Sequence, residues 1–368
     1  MEKIGIICEY NPFHNGHIYH INKIKEKYPD SLIILVLNGY FLERGEISVL
    51  SKYDKTNIAL KYGVDLVMEL PFVYGVQSAD TFAYRSVQIL NELKVNRIIF
   101  GSESNDIDML NKLADLSLDK NHDEKIKELL DTGINYPTAL AKALNTEFVF
   151  NSNDLLGISY CKAIKQINNN IIAETIKRTN NYLDTTSNDD VISASNIREK
   201  LYQGISIEKY VPKCTYNSII NISSSMKFNL LKYEILHNER LDEYLDVDEG
   251  IDNRLKEGIL KVNSYDELVD FLKSKRYTYN KINRMLIHIL IGLKKIDAKY
   301  EMDSLKVLGM NNNGQKYLNE IKKDITIPFN NKDSKLYDYE IKASIIYGML
   351  AGSNEFYEKE KTNKPIIY

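Results

Sequence analysis

Short apolar runs alternate with amphipathic stretches through the first 200 residues of the chain. The runs have the Ile, Val and Leu content of buried strands, and the stretches between them repeat apolar residues at the helical period. Such alternation is typical of βα units around a parallel sheet. We predict strands at Lys3–Cys8, Leu32–Asn38, Asp65–Leu70, Arg97–Gly101, Glu147–Phe150 and Ile172–Ile176, and helices at Ile18–Tyr28, Lys52–Tyr62, Ala83–Leu93 and Leu155–Ile167.

The pattern changes near residue 200. The polar segment Thr179–Asp190 is predicted to be a loop, and beyond Arg198 the helical period dominates. Helices are predicted at Phe228–Leu236, Glu249–Leu260, Tyr265–Lys273, Lys281–Leu293 and Asn313–Lys323. We therefore predict an α/β, Rossmann-like unit with a parallel sheet over residues 1–200 and a mostly α-helical unit over residues 201–368.

Composition narrows the class of protein. Of 368 residues, 43% are hydrophobic and 27% are charged, as in ordinary globular proteins. No apolar run approaches the roughly 20 residues that span a bilayer, and a strand at residue 3 leaves no room for a signal peptide. Three cysteines are too few and too scattered for a disulfide framework or a zinc cluster. We predict a cytoplasmic protein without a membrane segment or a protein-held metal.

The net charge of −3 excludes a globally basic nucleic-acid-binding protein. The stretch from Lys273 to Lys299 nevertheless holds eight basic residues and one acid, Asp297. Such a stretch is either a patch that attracts phosphate or an ordinary solvated helix face, and the charge pattern leaves both open.

The most informative segment follows the first strand, where a tight turn leads into His14-Asn15-Gly16-His17. This is the H-x-G-H signature of nucleotidyltransferases and class I aminoacyl-tRNA synthetases. A helix N-terminus suits a nucleotide phosphate, and two imidazoles there can donate hydrogen bonds to the α-phosphate as charge develops. A turn with incidental histidines is the alternative, which the position after the first strand disfavours. His20 either reaches the same pocket or lies on the helix surface.

A second phosphate-binding element is predicted at Ile192-Ser-Ala-Ser195-Asn-Ile-Arg198. It resembles the I-S-S-T-x-I-R segment of nucleotidyltransferases, the counterpart of the synthetase K-M-S-K-S loop. Serine hydroxyls and an arginine fork suit β- and γ-phosphates, although such a segment is also a plain helix cap. Lys177-Arg178 adds positive charge at the end of a predicted strand, where open α/β sheets bind ligands.

Together these segments resemble the tRNA(Met) cytidine acetate ligases, ATP-dependent members of the nucleotidyltransferase superfamily. The similarity covers both predicted units. It is carried by Glu9-Tyr-Asn-Pro-Phe-His-Asn-Gly-His17, Arg44-Gly-Glu46, Gly63-Val-Asp-Leu-Val-Met-Glu-Leu-Pro-Phe72, Gln77-Ser-Ala79, Phe100-Gly-Ser-Glu103, Asp252-Asn-Arg-Leu-Lys256, Arg276-Tyr-x-x-x-Lys-Ile-x-Arg284, Leu286-Ile-His-Ile-Leu-Ile-Gly292 and Val307-Leu-Gly309.

The resemblance implies two steps: acetate and ATP form acetyl-adenylate, and the acetyl group then passes to N4 of the wobble cytidine in elongator tRNA(Met). It implies His14 and His17 as catalytic residues, and Ser195 and Arg198 as ligands of the pyrophosphate with Mg²⁺. It also implies an ATP site made of Ile7, Cys8, Glu9, Tyr10, Asn11, Pro12, Phe13, His14, Asn15, Gly16, His17, Ile18, Tyr19, His20, Gly101, Asn153, Arg178, Ser195 and Arg198. No R/Q-x-x-G-x-G/A loop, as in acetyl-CoA-dependent enzymes, occurs in the sequence.

For the RNA, the basic residues Arg276, Lys281 and Arg284 are predicted to bind tRNA, with Tyr277 and Tyr279 among them. Basic and aromatic side chains together suit an RNA backbone and a stacked base, although tyrosine is common throughout this chain, at 26 residues. The apolar run Met285–Leu293 is predicted to be core. Neither DNA nor a membrane is an expected partner.

The chain departs from the family's usual pattern at several places. It reads Gly39-Tyr40-Phe41 where Gly-Asn-Phe is usual, and Glu43 and Ile47 stand where a Gln and a Pro are common. The usual paired asparagines are Asn153-Asp154, and the usual Tyr-His-Asp is Tyr182-Leu183-Asp184. Glu43 would add negative charge to a pocket for acetate or an RNA phosphate.

Two other functions are compatible with parts of the sequence. An adenylyltransferase for a small phosphate ester shares both nucleotide motifs but usually lacks a second unit with a basic helix, so residues 201–368 favour the ligase. A non-catalytic RNA-binding protein on the same fold would be expected to have lost one of the two histidines, and both are present.

Overall fold

The computed structural model describes residues 1–132, 134, 136–143, 151–178, 190–248, 250–274, 277–362 and 364–368. Seven strands within these residues form one sheet: β1 Lys3–Cys8, β2 Leu32–Asn38, β3 Leu66–Leu70, β4 Arg97–Ser102, β5 Ile172–Lys177, β6 Val307–Met310 and β7 Ile366–Ile367. Their order across the sheet is β5-β4-β1-β2-β3-β6-β7. The first five strands run parallel, and β6 is antiparallel to β3. The predicted α/β class is therefore confirmed.

Helices follow the strands of the first half: α1 Asn15–Lys27, α2 Lys52–Lys61, α3 Phe72–Gly75, α4 Ala79–Glu92, α5 Ile107–Leu118, α6 Lys120–Asp131, α7 Tyr136–Ala143, α8 Ser152–Ile167 and α9 Ala194–Tyr202. The second half adds α10 Lys213–Asn217, α11 Ser224–His237, α12 Ile251–Lys261, α13 Tyr265–Leu272, α14 Tyr279–Ile291, α15 Asn312–Ile321, α16 Lys335–Ala351 and α17 Glu355–Thr362. Across the described ranges, none of these helices has both the length and the apolar content that a membrane span requires.

The central strands have the predicted bounds because they are apolar and covered on both faces. In β2 every residue is buried, and β1 pairs with it in parallel from Lys3 opposite Leu32 to Cys8 opposite Leu37. Parallel strands covered by helices on both sides read as unbroken apolar runs, which makes them easy to recognise. The strand predicted at Glu147–Phe150 lies outside the described residues, as does the loop predicted at Thr179–Asp190 except for Asp190.

Two strands of the sheet come from the half of the chain predicted to be mostly helical. In β6, Gly309 lies opposite Val67 of β3, and a Cβ at Gly309 would lie 2.6 Å from the Thr56 side chain on α2. β6 has four residues and β7 two, too few for a clear alternating pattern. The division at residue 200 stays a prediction, while the sheet itself includes residues from both sides of it.

A buried ion cluster also joins the two halves. The Lys52 Nζ on α2 lies 2.5 Å from a Glu69 oxygen, 3.0 Å from one of Glu340 and 2.7 Å from one of Glu360. Lys306 contacts Glu69 and Glu360 as well. Since Glu340 and Glu360 lie on α16 and α17, these helices are tied electrostatically to the sheet.

Candidate active site

A cavity lies beside β1 at the carboxyl ends of the parallel strands. The chain proceeds from β1 to β2 and β3 on one side and places β4 and β5 on the other, and ligands of open α/β sheets bind at such a reversal of strand order. Most residues of the predicted ATP site line this cavity: Ile7, Cys8, Glu9, Tyr10, Asn11, His14, Gly16, His17, Tyr19, His20, Gly101, Asn153, Arg178 and Arg198. The structure thus brings the two nucleotide motifs together.

Five residues of the predicted site are not among the lining residues: Pro12, Phe13, Asn15, Ile18 and Ser195. Phe13 is buried and packs against the Tyr10 ring, with centroids 4.8 Å apart. The Asn15 side chain donates to the Asp190 and Lys209 carbonyls, which ties the start of α1 to neighbouring loops. These contacts support the shape of the site, and direct ATP contact by these five residues stays a prediction.

His14 and His17 form a reciprocal cap at the start of α1. The His14 Nδ1 accepts a hydrogen bond from the Gly16 N–H at 3.0 Å, and the His17 Nδ1 accepts one from the His14 N–H at 3.1 Å. The two rings are stacked, with centroids 3.8 Å apart. Because each Nδ1 is an acceptor, the proton of each neutral ring resides on Nε2. Both histidines therefore keep an Nε2–H group that can donate to a ligand.

Burial keeps the imidazoles of the cavity neutral. It lowers the pKa of His14 to about 3 and that of His20 to about 4, and it lowers the pKa of His17 well below its usual range. The Arg178 guanidinium contributes to all three shifts. At neutral pH these rings act as hydrogen-bond donors rather than fixed cations. His20 lines the cavity, and its buried Nε2 has no hydrogen-bond partner in the described residues.

Gly16 is required by the position of the His14 ring. A Cβ at Gly16 would lie 2.7 Å from the His14 Cε1, which is closer than such atoms approach. Tyr10 turns the chain out of β1 with a left-handed φ of 50°, and its ring contacts His17 edge-on, with centroids 4.6 Å apart. The H-x-G-H spacing thus follows from packing as well as from chemistry.

The opposite wall of the cavity is built from the ends of β4 and β5 and the start of α8. Arg178 packs over Gly101, where a Cβ would lie 3.3 Å from the arginine Cγ, and its Nη1 lies 3.5 Å from the Asn153 Oδ1. The Asn153 Nδ2 donates to the Glu103 Oε1 at 2.6 Å, which fixes the orientation of the amide. The sequence indicated Glu103 only as the last residue of the Phe100–Glu103 motif, without a role. In the structure it orients the Asn153 side chain.

The residues of the second predicted phosphate-binding element, Ile192 to Arg198, have different roles in the fold. Ser193 caps α9 by accepting from the Asn196 N–H at 3.1 Å, while Ser195 lies on the helix away from the lining. The Arg198 Nη1 donates to the Asn11 carbonyl at 2.8 Å, and its Nη2 lies 2.8 Å from a Glu46 oxygen. Arg198 therefore holds the turn after β1 while it lines the cavity.

The loop after β2 adds a carboxyl group to the cavity. The Glu43 N–H donates to Glu9 at 2.7 Å, and the Glu43 carboxylate lies 3.8 Å from Arg284 and 3.6 Å from Arg44. Burial, then the charge of Glu9, raises the pKa of Glu43 to about 7, although both arginines oppose the shift. Arg44 and Glu46 line the cavity too, and the Arg44-Gly-Glu46 motif was the signal in the sequence that could have assigned this loop to the site.

Of the residues predicted to bind tRNA, Arg284 lies near this loop. Arg284 faces Glu43, and the Lys281 Nζ lies 3.3 Å from Asp248. Arg276 lies outside the described residues. The apolar run Met285–Leu293 is almost entirely buried, as predicted. Lys281 and Arg284 are thus each paired with a carboxylate rather than part of an open row of charges.

Comparison with known proteins agrees with this site. A family model described as HIGH Nucleotidyl Transferase matches residues 1–363. A protein from Clostridium perfringens named tRNA(Met) cytidine acetate ligase is 38% identical over the full length of both chains. One of the same name from Bacillus licheniformis is 34% identical, covering 94% of this chain and 92% of its own.

Solved structures show the same fold. A crystal structure of Thermotoga maritima TmcAL bound with alpha-thio ATP superimposes with a TM-score of 0.86 at 27% identity, over 100% of this chain and 99% of the other. The apo form of that protein gives a TM-score of 0.89.

The fold, the H-x-G-H turn and the family match define this chain as a HIGH nucleotidyl transferase. Within that class it belongs to the tRNA(Met) cytidine acetate ligase family, which confirms the resemblance seen in the sequence.

Proposed function

We propose that this chain uses ATP to activate acetate as acetyl-adenylate and transfers the acetyl group to N4 of the wobble cytidine of elongator tRNA(Met). The observation that carries the proposal is the reciprocal cap of His14 and His17. It presents two neutral Nε2–H donors at a helix N-terminus, inside a cavity at the reversal point of the sheet.

In the first step an acetate oxygen attacks the α-phosphorus of ATP, the bond to the bridging oxygen breaks, and pyrophosphate leaves. Negative charge on the α-phosphate oxygens grows along this path, and preoriented donors stabilise it without reorganising. His14 and His17 supply such donors, and the N-terminus of α1 adds a favourable field. His20, with its buried Nε2 unpaired, is a third candidate donor.

The phosphates would be held by Arg178, after β5, and Arg198, on α9, which both line the cavity. Mg²⁺ would enter bound to the ATP phosphates and neutralise the leaving pyrophosphate. Two carboxylates of the cavity already have partners: Glu9 accepts from the Asn38 side chain and the Glu43 N–H, and Glu46 is paired with Arg198. This fits a metal ion that arrives with ATP rather than one held by these carboxylates.

In the second step the cytidine N4 attacks the acetyl carbonyl carbon. The carbon–oxygen bond to AMP breaks, AMP leaves, and the amine loses one proton to solvent. A role of the second half in this step is supported by the direct contact of α14 with the loop of Glu43: a Cβ at Gly45 would lie 2.4 Å from the Arg284 backbone nitrogen.

Acetate-dependent exchange of pyrophosphate into ATP is the first test, performed with purified protein and Mg²⁺. Exchange that requires acetate, followed by acetylation of tRNA(Met), is the expected result. Turnover of a small phosphate ester without acetate would instead favour an adenylyltransferase, and absence of exchange with tRNA(Met) present would contradict the proposal.

Substitution of the histidines tests their roles separately. His17→Ala should lower exchange about 100- to 1,000-fold, as loss of one charge-stabilising donor does, with tRNA binding little changed. His14→Asn keeps a helix-capping side chain but lacks the imidazole donor, so a similar loss without loss of stability is expected. His237→Ala, at an exposed position of α11, is the control. Equal rates of ATP–pyrophosphate exchange in all three variants would contradict the catalytic role of His14 and His17.

A further inference from the structure

The cavity borders the helical half of the molecule at Glu46 and Arg198. Arg198 lies on α9, and Tyr202 follows it by four residues, one helical turn on the same face. The glycine between Arg44 and Glu46 presses against α14. The side of the cavity lined by Arg198 and Glu46 therefore lies beside α9 and next to the loop that packs on α14.

Exposed tyrosines stand at the end of α9 and at the start of α14. Tyr202 is 73% exposed and Tyr279 is 52% exposed. Tyr265 is buried and donates to the Asn283 Oδ1 at 2.7 Å. Burial raises the pKa of both Tyr202 and Tyr265. The charges of Glu46 and Asp266 raise both pKa values further, and Tyr279 adds to the shift of Tyr265. Asn283 lies one helical turn after Tyr279 on α14, so Tyr265 and Tyr279 are neighbours, while Tyr202 lies one turn beyond Arg198, which lines the cavity.

A lysine, Lys227, lies over the Tyr265 ring. The Lys227 Nζ on α11 lies 3.1 Å from the centroid of the Tyr265 ring. Burial lowers the pKa of Lys227 to about 7, although Asp266 and Glu46 oppose the shift. Among the residues that the structure describes, no carboxylate oxygen lies within 4.0 Å of this Nζ. Glu46 is paired with Arg198 instead. At neutral pH this amine is partly protonated, and a phosphate brought beside it would favour the charged form.

We propose that Tyr202, Tyr279 and Lys227 form a platform that receives the unpaired acceptor nucleotide of the RNA, with its base stacked on tyrosine and its backbone phosphate beside the lysine. This rests on the proposed function. Recognition of single-stranded RNA uses aromatic rings for splayed-out bases together with cations for the backbone. Here both lie next to the cavity in which the acetyl group is activated.

The platform differs from the basic stretch that the sequence singled out. Lys281 and Arg284 are held by Asp248 and Glu43, so a phosphate would have to displace an existing partner. Within the described part of the chain, Lys227 has no such carboxylate partner to lose. The position also suits the chemistry, because Tyr202 lies one helical turn from Arg198, which lines the cavity in which the acetyl group is activated.

The test uses the full chain with Tyr202→Ala, Tyr279→Ala and Lys227→Met, each assayed for two reactions. Acetate-dependent ATP–pyrophosphate exchange should match the parent protein. The KM for a tRNA(Met) transcript in acetyl transfer should rise about 5- to 150-fold for each tyrosine variant, as loss of base stacking predicts. Tyr202→Phe, which keeps the ring, should behave as the parent does.

Tyr233→Ala is the matched control. Tyr233 is 63% exposed on α11, and its ring stacks on His237 rather than on a platform residue. Unchanged KM in both tyrosine variants would overturn the platform. An equal rise in Tyr233→Ala would also overturn it, by showing a general surface effect. Loss of exchange in the parent protein would instead refute the proposed function, so the two failures are distinguishable.

Discussion

Glu43 places a carboxyl group inside a cavity proposed to accept a second carboxylate. Because its pKa is raised to about 7, it is largely neutral below that pH and largely ionised above it. A charged Glu43 repels acetate, whereas a neutral one offers a hydrogen bond. The affinity of the cavity for acetate is therefore tied to the charge of one side chain.

We expect the KM for acetate to rise about tenfold between pH 6 and pH 8.5 at saturating ATP, which corresponds to roughly 1.4 kcal/mol of repulsion. Glu43→Gln removes the charge and should flatten this profile, while Glu43→Asp retains the charge and should keep the rise. The measurement is the acetate KM in ATP–pyrophosphate exchange across the pH range. Parallel profiles for the parent and the glutamine variant would contradict the assignment.

At the same scale, the sequence predicted the histidine pair but not its tautomer. The H-x-G-H spacing indicated two imidazoles at a helix start. Which ring nitrogen carries the proton depends on the backbone N–H groups of Gly16 and His14, which only the folded turn defines. The contact between Glu43 and Arg284 could not be predicted for a different reason. Its two residues lie about 240 positions apart in the sequence, and no local sequence pattern indicates such a long-range pairing.

At the scale of elements, strands buried on both faces were predicted almost residue by residue, since an unbroken apolar run between turns has one good interpretation. β6 and β7 were missed because they are short and lie among helices. Helix ends were the weakest feature: α4 begins at Ala79 rather than Ala83, because Ser78 caps it and polar residues fill its first turn. Capping, not hydrophobicity, determines where such a helix begins.

The contact between the Gly45 loop and α14 couples the cavity to the helical half, and it can be tested by adding one methyl group. Gly45 has a φ of 76°, and a Cβ there would lie 2.4 Å from the Arg284 nitrogen. Gly45→Ala should lower the free energy of unfolding by about 2–5 kcal/mol, combining overpacking with left-handed strain. Urea denaturation measures this.

Gly292→Ala is the control for backbone strain, because Gly292 has a φ of 80° with open space around it. Its cost should stay near 1 to 2 kcal/mol, as expected for an alanine in the left-handed region. Equal costs at the two glycines would mean that the loop can move away from α14.

At the scale of the whole molecule, the buried ion cluster makes the two halves interdependent. Lys52 neutralises carboxylates contributed by β3, α16 and α17. Burial, together with the charges of Glu69 and Glu360, raises the pKa of Glu340. Although burial opposes it, the ammonium groups of Lys52 and Lys306 hold the pKa of Glu360 below its usual range. The cluster is stable only while both sets of helices are in place.

Lys52→Met should therefore destabilise the protein by about 3–5 kcal/mol, because it leaves buried carboxylates without their main partner. Lys359→Met removes an exposed lysine that lies 3.4 Å from Glu355, and its cost should stay below about 1 kcal/mol. Chemical denaturation at neutral pH compares the two. Similar costs would show that the cluster does not hold the halves together.

The position of β6 bears on how the chain emerges from the ribosome. The strands β1 to β5 are complete once residue 177 has been synthesised, but the outer edge of β3 has no neighbour until residues 307–310 follow. An open strand edge is a template for pairing with other chains. A nascent chain that has already paired its first five strands consequently presents this open edge until β6 is synthesised, and in that interval the edge can pair with other chains.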